Sequence, residues 1–106
     1  MSISAAEKAE LALTQEQLEC VRRILRDVVP GHRAWAFGSR VINAPEARTQ
    51  LKPHSDLDLA LEGPALKPQQ WYALREAFSE SDLPMRVDVV DAADLPVGWN
   101  IRAWPL

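Results

Sequence analysis

Ser55-Asp56-Leu57-Asp58-Leu59-Ala60-Leu61-Glu62, the stretch 55–62, decides how the chain is read. Its residues alternate with period two. Leu57, Leu59 and Leu61 point to one side; Asp56, Asp58, Ala60 and Glu62 point to the other. That pattern predicts a half-buried β-strand, and Gly63-Pro64 ends it. Aspartate is a poor strand residue, so two of them on one face of a strand ask for a reason.

Downstream, Pro68 to Ser79 reads as a helix. Pro68 sits in the first turn, and Trp71, Leu74 and Phe78 form the apolar stripe. A further strand is expected over Met85–Val90, with Val87 and Val89 on one face and Arg86, Asp88 and Val90 on the other. Upstream, Thr14 is an N-cap with Gln17 completing a capping box. Leu18, Val21, Ile24, Leu25 and Val28 follow at helical spacing, and Pro30-Gly31 stops that helix. A short strand, Ala34-Trp35-Ala36-Phe37, then runs into Gly38-Ser39. Residues 1–13 read as a frayed helical lead-in, 41–54 mostly as loop, and 92–106 as an irregular tail.

These elements predict one domain over 1–106 with a two-layer α/β fold, a short mixed sheet of about three strands with the helices on one face. Trp35, Phe37, Leu57, Leu59, Val87 and Val89 are expected under the helices. Asp56, Asp58 and Asp88 then gather on the opposite face. Asp56 and Asp58 leave it about 7 Å apart. Like charges at that spacing raise one another's pKa unless a cation joins them. Mg²⁺ suits such a site, because it takes a few carboxylates plus phosphate oxygens and water. The plain alternative is a solvated acidic face. Gly38-Ser39 after a strand lets backbone N–H groups approach a phosphate closely, with Arg40 adding charge. Its plain alternative is a turn capped by Ser39.

The order of strand, Gly-Ser, loop, strand with Asp-x-Asp, helix and strand with Asp is more specific than any of its parts. AFGSR at 36–40, SDLDLAL at 55–61 and RVDVVD at 86–91 resemble the minimal nucleotidyltransferase group of the DNA polymerase beta superfamily. The resemblance covers about residues 15 to 91. It implies that Gly38 and Ser39 hold the triphosphate of ATP, with Arg40 beside them. It implies that Asp56 and Asp58 bind Mg²⁺, and that Asp88 completes the metal-binding triad and helps activate an acceptor hydroxyl. Members often pair as antitoxins with a HEPN ribonuclease toxin, and some transfer AMP to a tyrosine of that toxin. The resemblance therefore implies a HEPN-type partner. A non-catalytic antitoxin on the same scaffold is the alternative, as is a transferase acting on an aminoglycoside-type small molecule. The spacing of residues 40–55 between Ser39 and Asp56 is longer than usual in this group.

Composition narrows the classes. The chain has 106 residues, 47% hydrophobic content and a net charge of −3. General nucleic-acid binders are usually basic, so nucleic acid is disfavoured as a partner. Cys20 is the single cysteine, which excludes an internal disulfide, and it reads as a half-buried helix residue. No leader or membrane-spanning pattern is present, which makes the cytoplasm the default. An oligomer is left open.

His32 and His54 fall on loop-like segments and read as ordinary surface residues. Trp71 is expected in the core and Tyr72 half-exposed. Arg22, Arg23 and Arg26 read as a solvated helix face, with docking of an acidic partner as the alternative. Asp91 and Asp94 read as strand-end and turn residues. Trp99 and Trp104 have few local neighbours to bury them, so the tail and the rim near Arg40 are expected to dock the partner.

Overall fold

A computed structural model describes residues 10–42, 51–52 and 54–106. The chain runs β1 (Glu10–Leu11), α1 (Gln15–Val28), β2 (Arg33–Phe37), a 3₁₀ turn (Gly38–Arg40), β3 (Val41–Ile42) and β4 (Leu57–Glu62). It continues with α2 (Pro68–Ser79), β5 (Val87–Asp91), two more 3₁₀ turns (Ala92–Asp94 and Trp99–Arg102) and β6 (Trp104–Pro105).

Both long helices form as their caps and stripes predict. Thr14 Oγ1 accepts from Gln17 N–H at 3.1 Å and Gln17 Oε1 accepts from Thr14 N–H at 2.9 Å, closing the capping box. Pro68 opens α2, and Gln70 Oε1 accepts from Lys67 N–H at 2.8 Å. The helices touch each other across one face of the sheet. Val21 and Leu25 of α1 and Leu74 and Phe78 of α2 form a single core with Leu57, Leu59, Leu61 and Val89.

The main sheet has four strands in the order β5-β4-β2-β6, rather than about three. β4 and β5 are parallel, with Asp58 beside Asp88, and β2 is antiparallel to β4, with Phe37 beside Asp58. The extra strand comes from the tail. Trp104–Pro105 pairs with β2 at Trp35 and Ala36, and Trp104 packs on the core. A turn-rich sequence conceals so short a strand, because two residues cannot show a period.

Two more expectations are corrected. Glu10–Leu11, within the segment read as a helical lead-in, pairs as a strand with Val41–Ile42, within the segment read as loop. The rest of those two readings, on residues 1–9, 43–50 and 53, lies outside the described residues. Within β2, Ala34 and Ala36 face the helices, while Trp35 and Phe37 lie on the opposite face. Both halves of Ala-Trp-Ala-Phe are apolar, so alternation alone cannot choose between them, and volume favours the wrong pair. The small residues sit where α1 and α2 press on the sheet. The large ones are met by the tail, with Trp99 edge-on to Phe37 at 6.0 Å between ring centroids.

The face away from the helices is therefore not wholly open. The Ala92–Asp94 turn packs against β4 and the Trp99–Arg102 turn against β2. Ala60, on that face, is fully buried. The end bearing the aspartates stays accessible.

Candidate active site

Three neighbouring strands bring the sequence-predicted site residues to one end of the sheet. β2 delivers Gly38 and Ser39 just past its C-terminal end. β4 delivers Asp58 at its start, with Asp56 just before it, and β5 delivers Asp88 at its start. Because Phe37 pairs with Asp58 and Asp58 with Asp88, the glycine turn and two carboxylates form a row across the strands. Asp56 and Asp88 are exposed and Asp58 is half-buried between them.

Gly38 is glycine for two separate reasons. Its φ of +80° is a left-handed conformation that side chains disfavour. A Cβ there would also overlap Asp58 Oδ2. The turn backbone thus lies directly against the central carboxylate, with Ser39 exposed at its crest. Val41 N–H closes the turn by donating to Gly38 carbonyl oxygen.

The electrostatics follow from this crowding. Burial, then the charges of Asp88 and Asp56, push the Asp58 carboxyl above its ordinary value. A site that opposes ionisation of its own central carboxylate is one a cation would relieve. Among the described residues, no three Asp, Glu, His or Cys side chains are already drawn together around one point. The carboxylates form a patch instead of a closed cage.

Arg40, expected at the phosphates, is placed otherwise. It is 5% exposed. Its Nε donates to Ser55 carbonyl oxygen and its NH1 to Ala12 carbonyl oxygen, both at 2.8 Å. Ala12 N–H returns a bond to Arg40 carbonyl oxygen at 2.7 Å. The side chain ties the chain before α1 and the approach to Asp56 onto the glycine turn. Sequence alone could not separate this from phosphate binding, since an arginine serves either.

The remaining candidates take structural places. His32 bonds through Nε2 to Pro64 carbonyl oxygen at 2.6 Å, bridging the starts of β2 and the β4–α2 loop. His54 is exposed and bonds to Pro84 carbonyl oxygen. Asp91 Oδ1 caps the following turn by accepting from Ala93 N–H at 2.9 Å, a turn role as expected. Cys20 is half-buried and free. Trp71 packs on the core and Tyr72 is 67% exposed. The expectation that Trp99 and Trp104 lack neighbours is corrected: both are half-buried against their own sheet. Phe37, beside Asp58 and under Trp99, borders the site and was missed, because its alternation was assigned to the core. Among the described residues, no helix is long and apolar enough to cross a membrane.

No protein-family model matches the chain. A curated protein of Haemophilus influenzae, named probable protein adenylyltransferase MntA, is 46% identical to it over 88 residues, covering 80% of this chain and 70% of that protein.

Proposed function

The chain belongs to the minimal nucleotidyltransferase family, a family of enzymes, and from that membership we propose that it transfers AMP from ATP to a tyrosine hydroxyl of another protein. We propose further that the acceptor is a HEPN-type ribonuclease toxin, which the modification silences. The observation that carries the reading is the row of Gly38, Asp58 and Asp88 across three strands, at the accessible end of the face away from the helices.

In this reading the Gly38-Ser39 turn receives the triphosphate through its backbone N–H groups and the Ser39 hydroxyl. Asp56 and Asp58 would hold Mg²⁺, with Asp88 completing the set; the bound ion would neutralise charge on the phosphates. Asp88 faces the acceptor. It lies on β5, the outermost strand on its side of the sheet, and is exposed, so a hydroxyl carried by a separate molecule reaches it without displacing the core. The hydroxyl oxygen bonds to the α-phosphorus as the bond to pyrophosphate breaks, and its proton passes to the Asp88 carboxylate. In this reading Arg40 holds the turn in place through its bonds to the Ser55 and Ala12 carbonyl oxygens.

The test is transfer of α-labelled AMP from ATP to a purified HEPN protein, with mass spectrometry locating the adduct. One AMP on a tyrosine, absent with Asp58→Asn, is expected. Labelling of a small-molecule alcohol with the protein left untouched would overturn the acceptor class. Tight binding of the partner with no transfer would overturn the catalytic reading.

A further inference from the structure

At the opposite end of β2 from Gly38, a cavity of about 450 Å³ opens between α1, the start of β2 and the end of β6. Its floor is apolar, with Leu25, Val29 and Leu106, and Trp35 is in its wall. Arg22 and Arg26 of α1 line it, and so does Arg33 of β2, at a position that shares its strand parity with Trp35 and Phe37. Arg22 and Arg26 are one helical turn apart, where like charges repel. Arg22 lies 5.7 Å over the Trp104 ring. Among the described residues, none of the three guanidinium groups has a carboxylate partner within ion-pair distance. Arg33 lies beside Glu62 in strand register, but the Glu62 carboxylate accepts the Trp35 indole N–H. A chain with net charge −3 thus collects unneutralised cations around one apolar hollow.

We propose that this cavity binds an acidic, leucine-bearing peptide segment of a partner protein, with the carboxylates on the arginine rim and an apolar side chain on the floor. Guanidinium groups pair bidentately with carboxylates, and a separate apolar floor adds burial that a bare anion cannot use. A polynucleotide needs a longer cationic track than three arginines on an acidic chain supply. The distance from Gly38, roughly 15 Å along five residues of strand, keeps such a segment off the site of transfer. The segment therefore anchors a partner without blocking ATP.

Fluorescence anisotropy of a labelled short peptide alternating glutamate and leucine tests this on the full chain. Binding is expected, weakened about tenfold or more by R26E together with R33E, by glutamine in place of glutamate, and by raised salt. Both arginines are exposed, so the variant is expected to melt with the wild type. ATP binding at the Gly38 end, measured in parallel, should not change. Equal binding of the glutamine peptide, indifference to the charge reversals, or no binding at millimolar peptide would overturn the proposal. So would full displacement of the peptide by millimolar inorganic phosphate, which marks a bare anion site, or tighter capture of polyuridylate. If the reversals lower the melting temperature, R26Q with R33Q replaces them, with the same loss expected.

Discussion

Gly38 and Asp58 are the residues on which the site depends, and each makes a measurable claim. Gly38→Ala places a Cβ on Asp58 Oδ2 and keeps a backbone with φ +80°. The left-handed conformation alone costs about 1–2 kcal/mol in a non-glycine residue. A lower melting temperature together with lost ATP binding is expected; a variant that melts and binds ATP like wild type would refute the close approach. Asp58 carries the opposite sign. Its folded-state pKa is raised, by burial first and then by Asp88 and Asp56, so the folded chain holds that proton more tightly than the unfolded one. The resulting stability is full below the unfolded pKa of about 3.9 and is lost as pH rises through the folded value. Asp58→Asn removes the titration. Without metal, the variant should gain on wild type as pH rises from about 4, and equal or exceed it at neutral pH. Denaturant melts across that range check the sign, and a wild type that gains on the variant as pH rises would contradict it.

At the scale of elements, the short pieces are what the site leans on. The strand pair Glu10–Leu11 with Val41–Ile42 is held to the glycine turn by the buried Arg40, which donates to the Ala12 and Ser55 carbonyl oxygens. Arg40→Ala should cost about 1–3 kcal/mol, since it leaves the half-buried Ala12 and Ser55 carbonyl groups without this donor. Hydrogen exchange should quicken at residues 10–12 and 41–42 more than in α1 or α2. A loss confined to ATP affinity, with exchange unchanged, would return Arg40 to the phosphates. β6 is the second such piece. Trp104 half-buries its indole on the core, so Trp104→Ala should lower stability by about 2 kcal/mol. If instead stability holds and only partner binding falls, the tryptophan is a docking residue after all.

For the whole molecule, the two faces of the sheet do different work. The helices seal one face. The tail turns cover part of the other, with Trp99 on Phe37 at the border of the site, and leave Asp56 and Asp88 exposed. Val97 and Ile101 remain exposed on that tail. Ligand that binds only the folded chain raises its melting temperature by mass action. Mg²⁺ with ATP together should therefore stabilise the wild-type chain more than either alone. Asp58→Asn should lose most of that gain, whereas Trp104→Ala should start lower and keep it. A full gain in Asp58→Asn, read by scanning calorimetry, would move the metal and nucleotide off this end of the sheet.

The sequence by itself determined whatever depends on near neighbours in the chain. The capping box at Thr14 and Gln17, the bounds of α2, and the direction of Leu57, Leu59 and Leu61 all follow from local periodicity and caps. So did the family, because Gly-Ser and the aspartates are read by order and spacing. Tertiary structure alone decided whatever had two locally equal answers or needed a distant partner. Ala-Trp-Ala-Phe is apolar on both faces, and only the closeness of the helices sends the alanines inward. Two-residue strands carry no period, so β1, β3 and β6 exist only through the strands that pair with them. Arg40 reads the same for a phosphate as for buried carbonyls until Ala12 and Ser55 are brought beside it. The row from Gly38 to Asp88 is legible only once strand register is known, because register is a relation between segments far apart in the chain.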